Sequence, residues 1–287
     1  MRYISMEGIN EISVARGICS LKGEGPWKDM GPAGYQAYMT LGQALAGEDR
    51  EAFLPERMVR PCQEHTDRVL IADESLAGMG VVKETAKPAA DGLISNIPGM
   101  VLCVITADCV PVALLDPVKK AIGLVHSGWK GTAGLISVRA LEMMRDNYGT
   151  DPADVIVSIG AHICGKCYEV GPELIPRFQD HYSMEDIHSF FIAKEIAEKT
   201  HKDKMPENKI SKGTITEGKM SERNDKYLLN MSRAISCSLI REGIRESKIH
   251  ISDRCTFEDP ELNSYRRDRK EGLPFTGRNL SALVLLP

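Results

Sequence analysis

One cysteine and two histidines, Cys109, His65 and His126, are the residues of this sequence whose types suit a shared chemistry. Cys109 and His126 each stand at an end of an apolar run, and His65 precedes another. Reactive side chains often lie where a strand ends, because the strand fixes the backbone while the side chain reaches a cleft. A thiolate and two imidazoles are ligands that Zn²⁺ accepts, and three ligands leave one position for water or substrate. The residues therefore permit a catalytic zinc site.

Two further interpretations of the same residues remain open. Cys109 can act as a nucleophile with His126 as its base, without any metal. Alternatively, all three are core residues, since cysteine is among the most frequently buried residue types. Three ligands drawn from distant loops have no compact signature, so their spacing alone favours the core interpretation.

The elements that must position these residues alternate between strands and helices. Apolar runs predict strands, and apolar residues at helical spacing predict helices, the first of them with Thr132 as its cap. The predicted strands are 100–109, 110–116, 121–127, 154–163, 248–252 and 281–287, and the predicted helices are 132–148, 172–182 and 227–243. This alternation predicts an α/β fold, in a single domain with both faces of the sheet covered.

Composition and charge limit the class of protein. The chain has 287 residues, 43% of them hydrophobic and 26% charged, which is typical of a globular protein. Its net charge of -4 gives no basic excess for nucleic acid, and no apolar run reaches the ~20 residues that span a membrane. MRYISMEGINEIS at the N-terminus lacks the apolar core of a signal peptide, so we expect eight reduced cysteines and a cytoplasmic location. The polar stretch at about 183–226 is expected to be a solvated excursion.

A second pair of cysteines lies further along the chain. Cys164 and Cys167 form a CxxC pair, which is typical of redox centres and of half of a structural zinc site. Since the sequence has no second CxxC, we expect this pair to be incidental. His162 lies two residues before it and could add a metal ligand.

A glycine-rich turn and an arginine cluster are candidate anion sites. Glycines at 128, 131 and 134 precede a predicted helix, whose N-terminus could hold an anion with help from Lys130. The dinucleotide pattern GxGxxG is absent, and the glycines could serve only a tight turn. Arg266 and Arg267 could bind phosphate or form a solvated face.

Several segments together resemble the laccase-domain family, also called multicopper polyphenol oxidoreductases. They follow the family's order from Gln63 onward and are QEHTDRV, TADCVPVALLDP, AIGLVHSGWKG, IGAHICGKCYEVGPE, RCT and NSYRRD, with a terminal apolar strand. The resemblance implies one mixed α/β domain over 1–287, with its sheets in a four-layer α/β/β/α arrangement. It also implies that His65, Cys109 and His126 are zinc ligands.

The activity that the resemblance implies acts on small molecules, namely a nucleoside and phosphate. It is phosphorolysis of adenosine and inosine, with deamination of adenosine and cleavage of methylthioadenosine. Relatives are also associated with copper-dependent oxidation of phenols and with the editing of peptidoglycan precursors. Four-electron oxygen reduction needs several coppers, and the chain has only seven histidines, so a zinc-dependent phosphorylase is the leading hypothesis. A hydrolase with Cys109 as nucleophile and a non-catalytic binding module are competing hypotheses.

Charge and the matched motifs suggest roles for further residues. Arg16 lies in VARG, a remnant of an N-terminal motif of the family, and Lys130 stands where the family usually has arginine. Either residue, or the pair Arg266 and Arg267, could bind phosphate by charge-assisted hydrogen bonds. Asp108 is the nearest acid to the ligands in sequence and could shuttle a proton.

Overall fold

Fourteen strands and eight α-helices form the part of the chain that the computed structural model describes, residues 1–48, 50–85, 88–200, 226–275 and 277–287. The strands are β1 (Tyr3–Ser5), β2 (Ala15–Ser20), β3 (Met58–Val59), β4 (Val69–Ile71), β5 (Gly92–Ser95), β6 (Val101–Thr106), β7 (Val110–Asp116), β8 (Ala121–Ser127), β9 (Ile156–Ile159), β10 (Glu169–Val170), β11 (Phe191–Ala193), β12 (Tyr227–Leu229), β13 (Ile249–Ile251) and β14 (Asn279–Leu285). The helices are α1 (Pro32–Ala46), α2 (Trp129–Ala133), α3 (Ile136–Tyr148), α4 (Ile175–Phe178), α5 (Met184–Phe190), α6 (Lys194–Thr200), α7 (Met231–Arg241) and α8 (Tyr265–Lys270).

Two large mixed sheets contain most of these strands. The five-stranded sheet has the order β1-β2-β14-β6-β3, and the six-stranded sheet has the order β13-β9-β7-β8-β5-β4. The pairs β3–β6, β4–β5 and β9–β13 are parallel, whereas the other pairs in these two sheets are antiparallel. A third sheet has the order β10-β12-β11.

The two large sheets pack face to face, because their central strands are apolar on both sides. Successive residues of a strand point to opposite faces. In β6, Leu102 and Val104 belong to the core between the sheets, while Val101, Cys103 and Ile105 belong to the core on the outer face. The neighbouring strands complete the core between the sheets with buried apolar residues, among them Leu93, Ala113, Leu115, Ile122, Leu124 and Leu283.

Helices cover the outer face of each sheet. Helix α1 packs on the five-stranded sheet through Tyr38, Leu41 and Leu45. Helices α3 and α7 pack on the six-stranded sheet through buried residues that include Ile136, Leu141, Met144, Ala234, Ile235 and Leu239. The resulting order of helix, sheet, sheet and helix confirms the predicted four-layer α/β/β/α arrangement.

The first part of the polar stretch belongs to the core, so the prediction of a solvated excursion over 183–226 is wrong there. Ser183 caps α5 in a capping box with Asp186. Ile187 and Phe190 are fully buried on one face of α5, and Phe191, the first residue of β11, is buried next to them. The amino-acid composition of the stretch does not reveal this buried face, because charged residues surround it in the sequence. The prediction for 201–225 lies outside the described residues.

The helix predicted at 132–148 is two helices, and Thr132 is not its cap. Gly128 precedes α2, and Thr132 lies inside α2 with its hydroxyl donating to the Gly128 carbonyl. Leu135 has φ of 59°, in the left-handed region, and this interrupts the chain before α3. At 227–243 the chain likewise begins as strand β12, and Asn230 caps α7 through Arg233 N–H.

The described residues form no helix that is both long and apolar enough to cross a membrane.

Candidate metal centre and its cavity

Strand pairing brings the three candidate ligands to one edge of the six-stranded sheet. In the β7–β8 pair, Pro111 lies opposite His126, so Cys109, just before β7, lies beside the end of β8. The next pairs outward are β8–β5 and β5–β4, and His65 stands in the loop that leads into β4. The antiparallel pairing of β7 with β8 therefore places Cys109 beside His126. The loop before β4 brings His65 to the same place.

The ligand atoms of His65, Cys109 and His126 all lie within 4.8 Å of one another. The Cys109 Sγ is 3.8 Å from His65 Nε2. The two imidazole rings meet edge to face, with centroids 4.9 Å apart and planes at 71°. One ion can contact three such atoms at the distances usual for zinc, about 2.0–2.3 Å.

Asp91 orients two of these ligands and was missed by the sequence reasoning. Its fully buried carboxylate accepts from His126 Nδ1 at 2.7 Å, which leaves Nε2 as the ring nitrogen free for a ligand role. The same carboxylate accepts from the backbone N–H of His65 at 3.1 Å and from the N–H and hydroxyl of Thr66. Asp91 lies directly before β5, and an acid at the start of a buried strand is the signal that could have identified it. A carboxylate behind a ligating histidine is the usual support of a metal site.

Gln63 anchors the loop that carries His65. Its side-chain amide donates to the Ile105 carbonyl and accepts from the Ile105 N–H, both at 2.8 Å, at the end of β6. His65 itself has φ of 60° in the left-handed region, a conformation that costs energy for a residue with a Cβ. The bonds from Gln63 and Asp91 hold the loop in that conformation.

Opposed effects set the charges of Cys109 and His126. Burial alone would raise the pKa of the Cys109 thiol, but the charge of His126 and hydrogen bonds from both histidines lower it to about 6. Burial would lower the pKa of His126, but the Cys109 thiolate and the Asp91 hydrogen bond raise it to about 9. Without a metal, Cys109 and His126 are therefore a thiolate–imidazolium pair at neutral pH, and a metal ion bound by both would displace the proton from His126 Nε2.

Gly128 leaves room for an ion beside the sulfur. A Cβ at this position would lie 3.0 Å from Cys109 Sγ and 2.9 Å from a ring carbon of His65. Its backbone is extended, with a φ of -75° that any residue can adopt, so space and not conformation requires glycine here. The thiolate, the two imidazoles and this open space fit a zinc ion.

Asp108 holds the turn before Cys109. Its carboxylate accepts from the Thr256 hydroxyl at 2.7 Å and from the Arg266 N–H at 2.6 Å. Asp108 also has φ of 88°, and its carbonyl accepts from Ile163 N–H at 3.0 Å. With both carboxylate oxygens engaged, the geometry supports a role in positioning Cys109 better than the predicted proton shuttle.

The candidate metal centre opens into a cavity of about 810 Å³. Arg266 lines it, with its guanidinium 5.2 Å from the ring centre of Tyr168 and donating to the Glu169 carbonyl. Four aromatic side chains also line the cavity, Trp129, Tyr168, Tyr265 and Phe275. Aromatic walls beside a metal centre suit a ligand with a flat ring.

Three of the predicted phosphate-binding residues do not line this cavity. Arg16 lies opposite Val284 in β14, at the end of the five-stranded sheet away from Thr106, and it donates to the Leu45 carbonyl. The Arg267 guanidinium is occupied by the backbone carbonyls of residues 256, 257, 259 and 262. Lys130 is exposed on α2, with its ammonium 5.7 Å from the ring centre of Trp129.

Three other cations line the cavity and were not identified from the sequence. Lys28, Arg60 and Arg278 form no salt bridge with a carboxylate of the described chain. Burial, followed by the charges of Arg278 and Arg60, lowers the pKa of Lys28. Arg60 is buried and donates to Tyr38 Oη and to the Gly80 carbonyl, which fixes its position. Cations that lower the pKa of Lys28 in this way create a site that an anion would stabilise.

Comparison with known proteins identifies the family. The model of the family described as multi-copper polyphenol oxidoreductase laccase matches residues 46–286. The chain belongs to this family. Its fold is similar to that of solved structures: the hypothetical protein YfiH from Bacillus licheniformis has a TM-score of 0.76 at 25% identity, over 99% of this chain and 96% of that one. YlmD from Geobacillus stearothermophilus has a TM-score of 0.73 at 25% identity, over 98% of this chain and 94% of that one.

Relatives of this laccase family carry the names of enzymes. A purine nucleoside phosphorylase from Bacteroides thetaiotaomicron is 36% identical over 158 residues, which are 55% of this chain and 58% of that protein. The match thus spans less than two thirds of that relative. Adenosine deaminase RL5, from an unknown prokaryotic organism, is 30% identical over 197 residues, 64% of this chain and 71% of that protein. The laccase family to which the chain belongs is therefore a family of enzymes.

Proposed function

We propose that the protein is a cytoplasmic, zinc-dependent purine nucleoside phosphorylase that acts on adenosine and inosine. The observation that carries this proposal is the placement of His65, Cys109 and His126, oriented by Asp91, in the wall of a cavity that also holds aromatic rings and cations. The names of relatives support the same activity. A chain with a reactive thiolate suits a reducing compartment.

The aromatic residues of the cavity are proposed to bind the purine. A purine presents a flat face to Trp129, Tyr168, Tyr265 or Phe275, and stacking of a base on an aromatic ring is worth about 1–3 kcal/mol. The cavity of about 810 Å³ is within the usual range for a small-molecule site, and it has room for phosphate beside the nucleoside.

The cations of the cavity are proposed to bind phosphate. Burial, and then the charges of Arg278 and Arg60, lower the pKa of Lys28, and Arg266 lines the same cavity. A dianion placed among them would relieve their repulsion and accept charge-assisted hydrogen bonds. These residues take the role that Arg16, Lys130 and Arg267 had in the sequence-based hypothesis, while Arg266 keeps it.

His65, Cys109 and His126 are proposed to hold zinc. Zinc at this position would supply a Lewis acid and lower the pKa of a bound water. The contribution of the chain is to keep Cys109 as a thiolate, to fix the His126 tautomer through Asp91 and to leave space at Gly128. Phosphorolysis joins the ribose carbon to a phosphate oxygen as its bond to the purine nitrogen breaks, and the base takes up a proton.

Deamination of adenosine and cleavage of methylthioadenosine are proposed as further reactions of the same cavity. The name of RL5 supports the first. Both substrates present the same purine to the aromatic walls, and deamination needs an activated water near the ring.

A hydrolase with a cysteine nucleophile is the second candidate. Asp91, His126 and Cys109 form a chain of acid, base and nucleophile, as such an enzyme requires. His65 argues for the metal, because a second imidazole directed at the same sulfur has no place in that triad. A multicopper oxidase is less well supported, since His65 and His126 are the two histidines that meet in a potential metal cluster of the described chain.

The products formed from adenosine test the proposal. The zinc-loaded protein is incubated with adenosine with and without phosphate, and the products are separated by chromatography. We expect ribose 1-phosphate only with phosphate, in an amount equal to adenine plus hypoxanthine, and ammonia from deamination in both cases, with inosine accumulating when phosphate is absent. Absence of every product, with zinc measured at the site, would reject the proposal and favour the hydrolase. The His65→Ala variant serves as the control for background activity.

A further inference from the structure

A second group of potential metal ligands lies outside the candidate metal centre. Cys164, Cys167, Cys255 and Glu258 each place a ligand atom within 4.8 Å of the others. The residues come from the loops that follow β9 and β13, which are parallel neighbours in the six-stranded sheet. Since parallel strands end at the same edge, the two loops meet.

The spacing of these residues is that of two metal-binding turns. Cys164 and Cys167 are three residues apart, with Cys167 N–H donating to the Cys164 carbonyl at 3.0 Å. Cys255 and Glu258 have the same separation, with Glu258 N–H donating to the Cys255 carbonyl at 3.2 Å. Structural zinc sites commonly combine two C-x₂-C turns. The second turn here is C-x₂-E, so it does not stand in the sequence as a second CxxC.

Backbone bonds fix the two turns against each other. Thr256 N–H donates to the His162 carbonyl at 3.0 Å, next to the bridge between His162 and Cys255. Cys164 N–H donates to Cys255 Sγ at 3.3 Å. Hydrogen bonds of the backbone therefore hold the two turns together, one of them directly at a sulfur atom. His162 itself bonds the Gly160 carbonyl through Nδ1 and is not one of the four.

We propose that Cys164, Cys167, Cys255 and Glu258 bind a second, structural zinc ion. Three thiolates and a carboxylate complete a tetrahedron and leave no open position, which is the arrangement of a structural site. Zn–S bonds of about 2.3 Å give a ligand–ligand edge of about 3.8 Å, so atoms already within 4.8 Å need little movement. A disulfide would use two of the sulfurs and leave the third and Glu258 without a role.

The second ion would stabilise the loop that precedes the first metal centre. Ile163, next to Cys164, donates its N–H to the Asp108 carbonyl at 3.0 Å. Thr256, next to Cys255, donates its hydroxyl to the Asp108 carboxylate at 2.7 Å. Asp108 directly precedes the ligand Cys109, so both turns of the second site contact the backbone that positions the first.

Zinc content of the purified full-length protein tests this proposal independently of any activity. We expect the wild type to hold two zinc ions per chain, and we expect both the Cys109→Ala variant and the Cys164→Ser/Cys167→Ser variant to hold one. The Cys237→Ser variant is the matched control and should hold two, because Cys237 belongs to neither cluster. One ion in the wild type that disappears in Cys109→Ala would overturn the proposal.

Cobalt substitution of the Cys109→Ala variant identifies the ligands even if the double variant does not fold. The second site should then give thiolate-to-cobalt absorption of the strength expected for three sulfurs, about three times that of a site with one. No such band, or a disulfide among Cys164, Cys167 and Cys255 found by peptide mass mapping, would overturn the proposal. Loss of the ion on chelation should also lower the melting temperature, since structural zinc contributes directly to folding.

Discussion

His126 and Asp91 form a hydrogen bond of 2.7 Å between Nδ1 and Oδ1 at the end of a buried strand pair. The same carboxylate accepts from the backbone of His65, so one buried acid positions two ligands of the candidate metal centre. Because the acid fixes the His126 tautomer, it directs Nε2 towards Cys109. The geometry of the centre therefore depends on Asp91 as much as on the ligands themselves.

Replacing Asp91 by asparagine should weaken zinc binding about 10- to 100-fold, the usual cost of removing the partner of a ligating histidine. The asparagine amide can still accept from the backbone, but it does not provide the negative charge behind His126. Competition with a chromophoric chelator measures the affinity. Asp67→Asn is the control, since Asp67 is half-exposed and pairs with Arg139. Equal affinities in the two variants would contradict the role of Asp91.

Adding one methyl group at Gly128 should remove zinc from the first centre and leave the fold intact. The Cβ of Gly128→Ala would lie about 3 Å from both Cys109 Sγ and the His65 ring, in the space that the ion needs. Gly131→Ala, three residues further along in α2, is the control, because its Cβ would meet Ile136 at 3.2 Å instead. Zinc analysis and circular dichroism measure the two effects. Full zinc content in Gly128→Ala would show that the ion lies elsewhere.

Removing a cavity cation should raise the KM for phosphate about tenfold with a smaller change in kcat at saturating phosphate. A charge-assisted hydrogen bond is worth about 1.5–3 kcal/mol, and about 1.4 kcal/mol corresponds to a factor of ten. Lys28→Met and Arg278→Met are the informative variants. Lys119→Met, in the exposed turn between β7 and β8, is the control. If all three variants keep the wild-type KM for phosphate, phosphate does not bind at these cations.

Truncating Ile187 to alanine should destabilise the fold by about 2–5 kcal/mol, because the side chain is fully buried in the core on the outer face of the six-stranded sheet. Met184→Ala, in the same helix but 45% exposed, should cost less than about 1 kcal/mol. Denaturant unfolding measures both free energies. Similar small losses would restore the interpretation of this segment as a solvated excursion.

The sequence predicts the long central strands β6, β7, β8 and β14, because their apolar runs are strong local signals, whereas the four layers follow from the family resemblance. Short strands such as β1, β2, β10 and β11 are not predicted. The sequence also predicts His65, Cys109 and His126, since their motifs are specific to a family. It does not predict Asp91 or the cluster of Lys28 and Arg278, because these side chains meet only after distant loops are packed together. Local patterns contain no information on such contacts.

Errors of the sequence-based reasoning have two physical causes. Composition concealed the buried face formed by Ile187 and Phe190, since charged residues lie on the other side of the same helix. Arg16 and Arg267 were expected to bind phosphate, but neither lines the cavity. The register of β2 against β14 places Arg16 elsewhere, and the Arg267 guanidinium donates to backbone carbonyls. Charge alone cannot tell an anion-binding arginine from one that satisfies buried carbonyls.

Release of hypoxanthine from inosine, followed in the presence and absence of phosphate, tests the central claim most directly. We expect the zinc-loaded wild type to release hypoxanthine only with phosphate, and we expect the Cys109→Ala variant and the chelated wild type to release none. Phosphate-dependent release that survives both the variant and the chelator would contradict a zinc-dependent phosphorylase at this centre. Failure of the zinc-loaded wild type to release hypoxanthine at any phosphate concentration would contradict the proposed reaction itself.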